Sequence, residues 1–173
     1  SCCALFMVKP EGIIATPGWP KRTLCTNSHG LSAAIFPRYS ASLSLTKLIA
    51  AGLSPLSPER ERVAASRLFL SEIRQYINRR EEFAFETTLS GLGYVGRLQK
   101  WKAAGYRIEM IFLRLHSPQL ALRRIAARVK QGGHNVPRAD VLRRYVRGWD
   151  NFQNTYRPLA DRWEVYDNSQ ETP

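Results

Sequence analysis

Acidic residues are scarce at the front of this chain. Before Pro58 the only acid is Glu11, and no aspartate occurs before Asp140. Aspartate serves caps and turns, so so long a stretch without it marks the first third as compositionally unlike the rest. Cysteine is scarce as well. Cys2, Cys3 and Cys25 are too few and too badly spaced for a zinc site. An odd count with no secretory signal points to a reduced, cytoplasmic compartment. No apolar run approaches the ~20 residues of a membrane span, and neither an internal repeat nor a low-complexity tract is visible.

What is present is basic. The 173 residues, 44% apolar and 23% charged, are enough for one domain with a full core. The net charge of +12 and a pI near 10.2 imply an anionic partner: a nucleotide, a nucleic acid or an acidic protein. The cations concentrate late. Between Ala121 and Trp149 there are eight Lys or Arg residues and one acid, Asp140. Two arginine-rich helical patterns flank the break Gly132-Gly-His134-Asn-Val-Pro137. A hinge with cations on both sides suits a lid that closes over a polyanion; a solvated surface helix pair is the plainer alternative.

The element pattern alternates. Ala4 to Val8 is an apolar run that fits either a strand or an unstructured start. Glu11-Gly-Ile-Ile-Ala15 reads as a short buried strand, followed by the turn Thr16-Pro-Gly-Trp-Pro-Lys21-Arg22-Thr23. Ser57-Pro58 with Glu59 and Glu61 opens a helix reaching about Arg80. Glu82 to Glu86 is a strand, closed by the polar turn Thr87 to Gly91. A helix covers about Leu92 to Ala104 and stops at Gly105. Tyr106 to Leu115 is a strand apolar enough to be buried on both faces. Ser117-Pro118 begins a helix with Ala121, Leu122, Ile125, Ala126 and Val129 on one face. Val141, Leu142, Tyr145, Trp149 and Phe152 stripe another, Pro158 ends the helical run, and Arg162 to Asp167 is a last strand. This alternation predicts an α/β fold with a parallel sheet covered on both faces, and ligand sites at the carboxyl ends of its strands.

Three groups of residues carry chemistry at such positions. Glu86, Thr87, Thr88 and Ser90 place a carboxylate and three hydroxyls where a strand meets solvent, suited to a hydroxylated ligand or a metal-bound water. Alternatively, Thr87 and Ser90 cap the next helix. Arg124 and Arg128 lie one turn apart, and Arg144, Arg147 and Asn151 follow at three- and four-residue spacing, where guanidinium groups can fork onto phosphate oxygens. His134 reads as a hinge hydrogen-bonder more readily than as a catalytic base. Gly18, Lys21 and Thr23 follow a strand, as in a phosphate-cradling loop, though with one glycine.

Phe83-Ala-Phe-Glu-Thr-Thr-Leu-Ser-Gly91, Arg128-Val-Lys-Gln-Gly-Gly-His-Asn-Val-Pro137, Arg143-Arg-Tyr145 and Tyr166-Asp-Asn-Ser169 together resemble the zeta toxin-like P-loop kinases, in the shorter bacterial branch. Leu48 to Pro55 matches the segment after the family's catalytic aspartate, so the likeness runs from Leu48 to Ser169. It implies a single domain over residues 1–173, with an adenylate-kinase-like P-loop NTPase fold: three layers, a central parallel sheet and helices on both faces. The lid would span about 124–147. It also implies phosphoryl transfer from ATP with Mg²⁺ to a small acceptor, UDP-N-acetylglucosamine in zeta toxins, and restraint by an antitoxin protein. By position, Glu86 and Thr88 match the acceptor-holding Glu-x-Thr. Arg128 and one of Arg143 or Arg144 match the lid arginines. Lys21 and Thr23 are the remnants of the phosphate and Mg²⁺ contacts; no other protein ligand to a metal is implied.

The first 47 residues depart from that pattern. The glycine-rich loop is one residue short and mostly without its glycines. Leu45-Thr46-Lys47 stands where the family has Asn-Ala-Asp, so a cation replaces the base. Residues 1–47 therefore read as a decayed or out-of-frame nucleotide-binding part, which predicts impaired activity. Two competing readings follow: an inactive remnant that binds nucleotide or an antitoxin-like partner, and a basic nucleic-acid-binding module with steeply salt-dependent binding. The coincidence of the arginines with a kinase lid weighs against the module.

Overall fold

The computed structural model describes residues 3–11, 58–132 and 135–169. Gly18, Lys21, Thr23 and His134, and the expected features at residues 12–57, lie outside the described residues. The chain divides into two compact units, residues 1–7 with 86–173 and residues 8–85.

The first strand, β1, is Cys3–Pro10. The apolar run Ala4 to Val8 is thus a strand; of the further strand expected at 11–15, Glu11 lies in a turn and residues 12–15 lie outside the described residues. Ala4 to Val8 are all buried, and an uninterrupted apolar run carries no period by which a strand is told from other buried segments. Pro10 closes the strand, where a missing donor is tolerated.

Helix α1, Pro58–Arg79, ends as helices with a left-handed closing residue do. Arg80 has φ 55°, and Glu81 N–H donates to the Tyr76 carbonyl at 2.9 Å. This is the Schellman arrangement, with an arginine in the place glycine usually takes. Within the smaller unit, Phe69 meets Phe85 edge-on and Tyr76 stacks on Phe83. Strand β2 is Phe83–Thr87, whose first three residues are buried.

In the larger unit, α2 is Val95–Ala103, and the chain turns out of it through Gly105 at φ 76°. Strand β3, Tyr106–Arg114, is buried at seven of nine positions, as a strand covered on both faces should be. Helix α3, Pro118–Lys130, has Ser117 as its N-cap, the hydroxyl accepting from Leu120 N–H. It ends at Gly132, φ 82°, beside the expected hinge. Helix α4 is Arg138–Asn151. It runs on into a π-helical turn, Phe152–Tyr156, and a 3₁₀ turn, Arg157–Leu159, before β4, Arg162–Asp167.

The described strands form one sheet in the order β2-β1-β3-β4. β3 and β4 run parallel, from Glu109 opposite Arg162 to Arg114 opposite Asp167, so both strands finish at the same level. Phe112 on β3 stacks on Phe152 at 4.7 Å and meets Trp149 at a tilt at 5.4 Å, pinning α4 to β3. Among the described residues no helix is long and apolar enough to cross a membrane.

Candidate functional site

The turn after β2 is shaped by its own hydroxyls. Thr87 Oγ1 accepts from Leu89 N–H at 3.3 Å, and the Thr88 and Ser90 hydroxyls share a hydrogen bond of 3.0 Å. The expected alternative, that Thr87 and Ser90 cap the following helix, does not hold. Tyr94 occupies the N-cap of α2, with no side-chain cap bond. The hydroxyls are used within the loop because Gly91 to Tyr94 intervene before the helix begins. Leu89 is a buried peg in the left-handed region, φ 53° and 1% exposed. A non-glycine residue there costs about 1 kcal/mol or more and persists where its surroundings over-determine it. Glu86, at the end of β2, is exposed, and Thr88 and Ser90 are half-buried.

Those surroundings are α4 and its continuation. A methyl group on Gly148 would lie 2.6 Å from the Thr88 carbonyl oxygen, so helix and loop meet backbone to backbone. Asn151 Nδ2 donates to the Leu89 carbonyl at 2.7 Å, and the buried Tyr156 hydroxyl donates to the Gly91 carbonyl at 2.6 Å. Burial pushes the Tyr156 phenol above its ordinary pKa, which keeps it a donor. Asn151 was legible as part of a polar stripe. Gly148 could have been found as a glycine inside an otherwise periodic helix, which implies close approach. Tyr156 carried no signal that separates it from a core aromatic.

The arginines sort by position. Arg124 and Arg128 on α3 are half-buried, and Arg128 Nε is sealed from solvent, so the side chain lies along the protein. Arg143 is exposed and donates to Asp140 at 2.8 Å. Arg144 is half-buried. It stands one helical turn before Gly148 and seven residues before Asn151, on the stripe that meets the loop. Arg147 is exposed.

The motif Tyr166 to Ser169 closes the end of β4. Asn168 N–H donates to the Arg114 carbonyl at 2.8 Å, and His116 N–H to Ser169 Oγ at 2.8 Å. A hydrogen bond from the Ser169 hydroxyl, chiefly, holds Asp167 below the usual carboxylate range. The bond from Tyr166 to Glu164 pushes the phenol up to about 12.

An open cavity of about 390 Å³ lies on another flank of α4, lined by Arg114, Tyr145, Val146, Trp149, Asp150, Gln153 and Asn154. None of the expected site residues lines it. Among the described residues no cluster of three His, Cys, Asp or Glu could hold a metal ion. The chemistry of the cationic set does fit phosphate: Arg124, Arg128 and Arg144 share their helix pair with two acids, Asp140 and Asp150, and Arg143 is bonded to the first.

Comparison with known proteins agrees with this arrangement. An uncharacterized protein of Haemophilus influenzae is 33% identical over 101 residues, covering 56% of this chain and 69% of that protein. No solved structure matches the chain. A family model described as Zeta toxin matches residues 58–172. Such a family suggests P-loop kinase-like chemistry and generally uses ATP and Mg²⁺. With the mixed α/β sheet, the strand-end loop and more than half of its length under that model, the chain belongs to the zeta toxin family and has its P-loop NTPase-like fold.

Proposed function

We propose that the chain is a small-molecule phosphotransferase that takes the terminal phosphoryl group of ATP to a hydroxyl of a nucleotide-sugar acceptor of the UDP-N-acetylglucosamine type. One observation carries the reading. The helix that bears Arg144 also seats, through Gly148 and Asn151 on the same stripe, the loop that bears Glu86, Thr88 and Ser90. Cationic and hydroxyl-binding groups are thereby fixed to one rigid element.

In this reading Glu86 accepts a hydrogen bond from an acceptor hydroxyl, and the Thr88–Ser90 pair offers a second polar contact. Arg128 and Arg144 hold phosphate oxygens and offset the negative charge that develops during transfer. Arg143, bonded to Asp140, serves the helix rather than the ligand. Bound ATP with Mg²⁺ would supply the group to be transferred; Lys21 and Thr23 are its proposed contacts in the N-terminal part.

The test is label transfer from terminally labelled ATP to UDP-N-acetylglucosamine in the presence of Mg²⁺. Wild-type chain should yield labelled sugar nucleotide. Arg144→Ala should reduce kcat about a hundredfold, the scale of losing one charge-stabilising donor. Loss of an exposed cation on α2, Lys100→Ala, should change it little. No transfer and no binding at millimolar ATP would overturn the proposal.

A further inference from the structure

Three contacts that α4 and its π-helical continuation make with the loop share a feature: each addresses backbone. Gly148 meets the Thr88 carbonyl, Asn151 bonds the Leu89 carbonyl and Tyr156 bonds the Gly91 carbonyl. The side chains of Glu86, Thr88 and Ser90 are left outside these bonds. A loop gripped by its carbonyls is fixed in shape while its functional groups stay available. Leu89, buried at positive φ, is the strained residue that such a grip must hold in place.

The π-helical turn is what makes the third contact reachable. Tyr156 lies five residues after Asn151. At 3.6 residues per turn a side chain five positions on is carried well round the helix. Between these two the chain widens to i→i+5 bonding, with Arg157 N–H donating to the Phe152 carbonyl. The wider turn returns Tyr156 toward the face of Asn151, and single π turns occur often at functional sites.

We infer that Gly148, Asn151 and Tyr156 are positioning residues, and that the π turn is the device by which α4 sets the acceptor loop in register with Arg144. The inference rests on the kinase reading for the loop's role, and on geometry alone for the grip. It assigns to Asn151 and Tyr156 control of acceptor binding without control of ATP binding, because their bonds end on the carbonyls of residues 89 and 91.

Two variants that remove a donor while keeping most of the shape test it: Tyr156→Phe and Asn151→Leu. Amide hydrogen exchange at residues 88–91 should quicken about tenfold in each, the scale of one lost hydrogen bond, while amides of α3 exchange as before. The KM for UDP-N-acetylglucosamine should rise by about the same factor, with the KM for ATP held within about twofold. Unchanged loop exchange in both variants overturns the inference, and so does a parallel rise of both KM values. A wild-type chain that transfers nothing, with loop exchange still quickened in the variants, overturns the kinase reading and leaves the grip standing.

Discussion

Asp161 stands just before β4 and joins three segments of the larger unit. Its Oδ1 takes Lys102 Nζ of α2 at 2.7 Å, and its Oδ2 accepts from Ile108 N–H of β3 at 2.7 Å. Its own N–H donates to the Ile108 carbonyl at 2.8 Å. Burial, the largest influence, raises the carboxyl's pKa, but the Ile108 and Lys102 bonds together with the charges of Lys102 and Arg107 lower it overall. A folded pKa below the unfolded one gives stability that is complete above the unfolded value, about 3.9 for aspartate, and is lost as pH falls through the folded value. Asp161→Asn should therefore cost about 1 kcal/mol at neutral pH, a figure kept small because the pair is partly exposed. Urea unfolding of both proteins should show the gap closing as pH drops below the carboxylate range. A gap that stays constant into acid would contradict the account.

Helix α3 is the element whose placement governs Arg124 and Arg128. Its start depends on a local device: Ser117 Oγ accepts from Leu120 N–H at 3.2 Å, with Pro118 at the first helical position. Ser117→Ala should destabilise the protein by about 1 kcal/mol, read as a lower urea midpoint at unchanged slope; an unaltered midpoint would show the cap to be idle. This cap was legible in the sequence because Ser-Pro before an apolar stripe names both the capping hydroxyl and the residue that needs no donor. Gly105 as a stop and β3 as a doubly buried strand were legible for similar reasons. β1 was legible only as one of two readings, since Ala4 to Val8 lack the alternation that marks a strand. The Glu86–Ser90 loop was visible as a cluster of polar groups, whereas its fastening was not. A carbonyl bonded by a distant Tyr156 through a π turn leaves no periodic trace, and only Gly148, conspicuous in mid-helix, hinted at close approach. The expected residues Gly18, Lys21 and Thr23 belong to the part of the chain outside the described residues.

For the molecule as a whole the excess of positive charge sets a background against which every local contact operates. With a formal net charge of +12, self-repulsion works against the compact state, and added salt shortens its range to ~8 Å at physiological ionic strength. Unfolding free energy should increase by about 1 kcal/mol as sodium chloride is raised from roughly 0.02 to 0.2 M. A fall over that range would mean that attractive pairs such as Lys102–Asp161 and Arg162–Glu164 outweigh the repulsion. The aromatic stack on α4 has a use of a different kind. Trp149 adjoins Gly148 in sequence, and its indole lies 5.4 Å from both Phe112 and Phe152 beneath the Arg114 guanidinium at 4.1 Å. Coupling among packed rings, and quenching by a cation above one of them, change steeply with separation. The chain therefore carries its own optical gauge: near-ultraviolet dichroism and tryptophan emission register any shift of α4 against the sheet, with no dye attached.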